Sequence, residues 1–126
     1  MANEKAVKAA GRRVVKKMEE AGEPILMMSY NPFGGGMPGA SDFIVCYYGL
    51  FVAIECKDPA RVKEKNGGLS PNQMNFRQNV AKAGGAHFLA YGREDFVKAF
   101  ALIKTGLFGA EDAPAEPPKK KLITLD

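Results

Sequence analysis

One histidine and two cysteines stand among the 126 residues, so a zinc site or a histidine-based catalytic triad has almost nothing to be built from. Cys46 and Cys56 lie inside apolar runs without metal-ligand spacing and read as buried, reduced thiols of a cytosolic protein. No apolar run approaches the roughly 20 residues of a membrane-spanning helix, and the longest, residues 43–48, is strand-sized. No apolar stretch follows Met1-Ala2-Asn3-Glu4-Lys5, so no signal peptide is expected. Charge of one sign is in modest excess: 18 Lys and Arg against 14 Asp and Glu give +4, which permits a polyanionic partner without demanding one. With 46% hydrophobic and 25% charged residues, the chain is not disordered over most of its length and fits a single domain.

Residues 4–20 read as a helix: Ala6, Val7, Ala10, Val14 and Met18 recur at three- and four-residue spacing, and basic residues fill the other face. Gly22 and Pro24 end it. Residues 25–30 have strand length, and residues 31–39, with Gly34, Gly35, Gly36 and Gly39, read as a loop. No Gly-Lys-Ser/Thr follows those glycines, so they form no nucleotide cradle. Two strand-like runs, 42–48 and 51–57, flank Gly49-Leu50, which predicts a type II′ hairpin with Tyr48 facing Phe51 and Asp42 facing Lys57. Alternation puts Phe43, Val45, Tyr47, Val52, Ile54 and Cys56 on one face and Asp42, Glu55 and Lys57 on the other. Ser70, Pro71 and Gln73 open a helix with a capping box, running to about Ala83. Residues 86–91 read as a strand and 93–104 as a final helix, with Gly106 near its C-cap. The order α-β-β-β-α-β-α implies an α/β fold, a mixed sheet flanked by helices. Residues 109–126, with Pro114, Pro117, Pro118 and Lys119 to Lys121, form a C-terminal extension to a domain spanning 1–108.

Two carboxylates and a lysine converging at one hairpin edge suit a divalent metal. Asp42 and Glu55 offer hard oxygen ligands for Mg²⁺ or Mn²⁺, and Cys56 between Glu55 and Lys57 can add its backbone carbonyl. Lys57 then stands where it can stabilise charge developing on a phosphodiester. The same residues also fit a solvated strand edge with an ion pair of little weight. Basic residues cluster at Lys5, Lys8, Arg12, Arg13, Lys16 and Lys17 and again at Arg61, Lys63 and Lys65. Arg12 and Lys16, with Arg61, Lys63 and Lys65, are candidate phosphate contacts. His87, in a short apolar run, reads as structural. Tyr30, Phe33 and Tyr91 read as core aromatics with base stacking as the alternative.

The runs Gly36-Met37-Pro38-Gly39-Ala40-Ser41-Asp42, Phe51-Val52-Ala53-Ile54-Glu55-Cys56-Lys57 and Leu69-Ser70-Pro71-Asn72-Gln73 resemble the VRR-NUC (virus-type replication-repair nuclease) family of the PD-(D/E)XK superfamily. The resemblance covers about residues 4–100. It implies a restriction-endonuclease-like core in which Asp42 and Glu55 bind metal with the Cys56 carbonyl and Lys57 is catalytic. Gln73 would hold water or a phosphate oxygen, a role set against capping, since one residue is expected to serve one of the two. Glu4 resembles the acidic residue that relatives carry on the first helix. Ser41 departs from the pattern, standing where the family has proline before the aspartate.

The implied activity is a Mg²⁺- or Mn²⁺-dependent endodeoxyribonuclease, leaving 5′-phosphate and 3′-hydroxyl ends. Without a helix-turn-helix or zinc finger, it would read DNA structure rather than sequence. Branched DNA such as a Holliday junction is the expected substrate, a homodimer the expected assembly, and the cytoplasm of a bacterium or phage-infected host the expected location. The alternatives are a non-catalytic nucleic-acid-binding protein on the same fold, a flap or general duplex nuclease, and a protein-interaction domain.

Overall fold

The computed structural model describes residues 3–30 and 37–108. Residues 31–36 of the predicted 31–39 loop, Phe33 among them, and the extension at 109–126 lie outside the described residues.

Helix α1 (Glu4–Glu20) starts at Asn3, whose side chain accepts from the Ala6 N–H at 2.9 Å. It ends in a Schellman motif: the Gly22 N–H donates to the Glu19 carbonyl and the Glu23 N–H to that of Met18. Strands β1 (Ile25–Tyr30), β2 (Phe43–Tyr47) and β3 (Leu50–Cys56) form an antiparallel meander. Two 3₁₀ turns, Pro59–Arg61 and Lys65–Gly68, lead to α2 (Pro71–Lys82). Helix α2 carries the chain to β4 (Ala86–Ala90), which pairs parallel to β3, and α3 (Arg93–Phe108) closes the described chain. Strand order is β1-β2-β3-β4, so the sheet is mixed and the α/β reading holds.

The hairpin differs from its predicted turn. Tyr47 pairs with Leu50, and the two connecting residues are Tyr48 (φ 53°) and Gly49 (φ 82°). Positive φ at both positions is what a type I′ turn requires. Tyr48 tolerates this conformation, at a cost of roughly 1–2 kcal/mol, because its ring packs on Tyr47 and its N–H donates to the Pro24 carbonyl at 3.0 Å. The pairing is offset by an even two residues, so each side chain keeps its expected face. Phe43 pairs with Ile54, and continuing that register sets Asp42 beside Glu55 rather than Lys57.

Helices α1 and α3 cover one face of the sheet. Val7, Val14 and Val15 of α1 and Phe96, Phe100 and Ile103 of α3 enclose Phe43, Val45, Tyr47, Val52, Ile54 and Cys56. Each large side chain buried there contributes roughly 1.5–3 kcal/mol. Helix α2 covers the other face through Phe76 and Val80 against Ala53 and Ile44. Cys56 is buried in the first core, whereas Cys46 on the opposite face is half-buried, contrary to the expectation for it; both are free thiols. Gly106 lies within α3 rather than capping it, since the helix continues to Phe108. No helix among the described residues is long and apolar enough to cross a membrane.

Candidate active site

Among the described residues, the buried polar or charged ones are Ser41, Asp42, Glu55 and Lys57, and they gather at one end of the hairpin. Burying charge is costly unless partners supply what water did, so each partner is informative. The Asp42 carboxylate, 7% exposed, accepts from the Cys56 N–H at 2.8 Å through Oδ2. Its Oδ1 lies 3.4 Å from the Lys8 ammonium, which also sits 3.2 Å from Glu4 Oε2. The register that puts Phe43 against Ile54 puts Asp42 where the end of β3 can donate to it.

Glu55 leaves β3 on the same side. Its Oε1 accepts from Gln73 Nε2 at 2.8 Å, and the Lys57 ammonium stands 3.9 Å away. Its Oε2 is buried and has no hydrogen-bond partner. Lys57, 6% exposed, is anchored by its own N–H, which donates to the Ala90 carbonyl at 3.0 Å and extends the parallel pairing past β3.

Gln73 does two jobs at once. Its Oε1 accepts from the Ser70 N–H at 2.9 Å while the Ser70 hydroxyl accepts from the Gln73 N–H, completing the capping box. Its Nε2 is thereby aimed at Glu55. The expectation that capping and a place in the site exclude each other is corrected, because an amide has separate donor and acceptor ends.

Proximity and burial disturb the acids. Burial, then the neighbouring Asp42 carboxylate, raises Glu55 to about 8 against the pull of Lys57. Burial also raises Asp42, opposed by the Cys56 N–H and by Lys8. Burial works against the Lys8 ammonium, but Asp42 and Glu4 outweigh it and the lysine lies above its ordinary value. Two carboxylates held together in low dielectric resist joint ionisation, and an added positive charge is what relieves them.

Behind Asp42, the Ser41 hydroxyl lies 3.2 Å from His87 Nε2, tying the start of β2 to β4. Burial and then Arg77 lower His87 to about 4, and its Nδ1 is buried without a partner. The half-buried His87 ring packs edge-on to Phe76.

The remaining predicted residues divide. Glu4 reaches the site through Lys8. Arg61 and Lys65 line an open groove of about 460 Å³ with Lys57, Ser70 and Gln73, whereas Lys63 is exposed and not part of its lining. The Arg61 guanidinium is held by Glu64 at 3.0 Å and donates to the Gly68 carbonyl at 3.1 Å. Arg12 and Lys16 line a separate cleft with Tyr30, and the Arg12 guanidinium lies 5.3 Å from the Tyr30 ring centroid. Tyr30 packs on Phe43, and the Tyr91 hydroxyl donates to the Gly67 carbonyl at 2.6 Å.

Comparison with known proteins finds no matching family model, curated protein or solved structure.

No group of three or more His, Cys, Asp or Glu side chains forms a metal-binding cluster among the described residues. The buried carboxylates there are Asp42 and Glu55, and Glu55 Oε2 has no hydrogen-bond partner. Hard divalent ions such as Mg²⁺ often use one or two protein carboxylates and take the rest of their shell from water and phosphate, so these residues fit such an ion. Two contributors escaped the motif reading, Lys8 and the Ser41–His87 pair. The four-residue spacing of Glu4 and Lys8 was the available signal for the first; the second joins positions 46 apart and had none.

Proposed function

We propose that the protein is a Mg²⁺- or Mn²⁺-dependent endodeoxyribonuclease with a PD-(D/E)XK-type core, acting on branched DNA such as a Holliday junction. The observation that carries this reading is the burial of Asp42, Glu55 and Lys57 at one hairpin end, with one Glu55 oxygen lacking any partner. Buried charges seldom persist for stability alone, because well-packed apolar residues do as well or better.

Asp42, Glu55 and the Cys56 carbonyl would hold the ion, which when bound neutralises phosphate charge and lowers the pKa of water. Asp42 is fixed by the Cys56 N–H and Glu55 by Gln73, so both carboxylates are oriented before substrate arrives. Lys57 carries its charge beside Glu55 and lines the groove. There it stabilises the extra negative charge that appears on the phosphoryl oxygens as water adds to phosphorus. The P–O3′ bond breaks in line with that attack, and the products carry a 5′-phosphate and a 3′-hydroxyl.

Arg61 and Lys65 along the groove, Lys63 beside them, and Arg12 and Lys16 on α1 are the proposed backbone contacts. Cutting two strands of a junction needs two such sites, so the proposal includes a homodimer. The test is cleavage of labelled four-way junction, flap and linear duplex in Mg²⁺, Mn²⁺ or EDTA. Metal-dependent cutting with the junction preferred supports the full reading. A preference for flap or plain duplex overturns its substrate, and binding without cleavage in either metal overturns its chemistry.

A further inference from the structure

Lys8 is the charged residue of the site to which the proposed chemistry assigns nothing. It projects from the second turn of α1, four residues after Glu4, and its side chain is 13% exposed where that of Glu4 is 42%. An ordinary surface pair at this spacing leaves both heads in water. Here the ammonium is drawn in toward β2, 3.4 Å from Asp42 Oδ1. The other Asp42 oxygen is held by the Cys56 N–H. One oxygen of the proposed ligand is thus fixed by rigid backbone and the other by a cation on a flexible stem. Glu55, by contrast, meets its own lysine at 3.9 Å, beyond hydrogen-bond reach.

We propose that Lys8 is a positioning residue that competes with a divalent cation for Asp42 Oδ1 and so sets the affinity of the site. A divalent ion bound at Asp42 repels an ammonium already paired to the same carboxylate, and the lysine stem allows that ammonium to withdraw toward Glu4, with which it is also paired. Lys8 therefore neutralises Asp42, ties α1 to the start of β2, and raises the metal concentration at which the site fills. Lys57 does not substitute for it, because Lys57 is paired with Glu55. This inference rests on the reading of Asp42 and Glu55 as ligands of a divalent ion.

The test is calorimetric titration of the full-length protein with Mn²⁺, beside thermal unfolding in EDTA, and neither readout needs DNA or turnover. Lys8→Met should bind Mn²⁺ about tenfold more tightly than wild type and melt at lower temperature in EDTA, with the melting gap closing at saturating Mn²⁺. Lys8→Gln, which keeps a polar head without the charge, carries the comparison if Lys8→Met does not fold. Lys8→Arg should restore wild-type affinity, and Lys5→Met, which removes one charge from an exposed position of the same helix, should leave it unchanged. Affinity in the uncharged Lys8 variants within twofold of wild type, or weaker, overturns the inference while leaving the divalent site in place. Wild type that takes up no Mn²⁺ at millimolar concentration overturns the divalent reading, and the role of Lys8 with it.

Discussion

Gln73 joins helix capping to the site, and substitutions can separate the two. Ser70→Ala removes the acceptor of the Gln73 N–H and should cost about 1 kcal/mol, the usual loss for an N-cap. Gln73→Ala removes the reciprocal arm to the Ser70 N–H, worth about 0.5–1.5 kcal/mol. It also removes the donor to Glu55 Oε1. Glu55 is 5% exposed and its second oxygen already lacks a partner, so stripping the first adds a desolvation cost of about 1–3 kcal/mol. Lys57, at 3.9 Å, is too distant to replace that hydrogen bond. The sum for Gln73→Ala is about 1.5–4.5 kcal/mol, more than that of Ser70→Ala throughout the range. Gln73→Glu keeps a side chain suited to the capping box but sets acceptor against acceptor 2.8 Å apart, so it should be destabilised despite its intact cap. Urea unfolding in EDTA at a pH above the Glu55 value of about 8, where both carboxyls are ionised, measures all three. Gln73→Ala no more destabilised than Ser70→Ala, or Gln73→Glu as stable as wild type, would refute an energetic link between cap and site.

Other substitutions probe the frame around the site. At Gly11 a Cβ would lie no more than 2.8 Å from three ring atoms of Phe96, which has no exposure. Overpacking of about 1–3 kcal/mol should exceed the gain of about 1 kcal/mol in helix propensity, so Gly11→Ala lowers the melting temperature and a second change, Phe96→Leu, restores part of it. A Gly11→Ala protein melting at or above wild type contradicts this packing. Gly39 has φ +75°, and a Cβ there would crowd the Asn72 carbonyl and the Gln73 nitrogen. Gly39→Ala should therefore cost about 2 kcal/mol or more in urea unfolding, and an unchanged midpoint would show that the loop before Asp42 does not lean on α2. His87 lies at about 4, below its ordinary value, so its stabilising contribution is complete above about pH 6.5 and is lost as pH falls through about 4. Stability measured across that window should fall in wild type relative to His87→Gln, and parallel curves would contradict the burial of a neutral ring.

Much of the scaffold was legible because its signals are local. The periodicity of Val7 and Val14 with Gly22 behind them marks α1, and Ser70, Pro71 and Gln73 mark the start of α2. Alternation in β2 and β3 identified the buried face, a conclusion that survived the misplaced turn because the register error was even. The turn itself is not legible locally, because Tyr48 holds its positive φ with the help of tertiary contacts, among them Tyr47 and the Pro24 carbonyl. Gly106 reads as a stop signal, yet a glycine within a helix costs only about 1 kcal/mol and the helix runs through it. At the site, the strand pattern already brought Asp42, Glu55 and Lys57 together. Lys8 was hidden among the basic residues of α1, because only the packing of that helix against the sheet tells which lysine meets Asp42.

Cleavage and metal binding measured side by side on Lys57→Ala and Asp42→Asn test the central claim most directly. Lys57→Ala should still bind Mn²⁺ and four-way junction DNA yet lose cleavage by about 100-fold or more, the usual scale for removing a group that stabilises transition-state charge. Asp42→Asn should lose both metal binding and cleavage. Cutting by Lys57→Ala at the wild-type rate, or Mn²⁺ affinity unchanged in Asp42→Asn, would contradict the account.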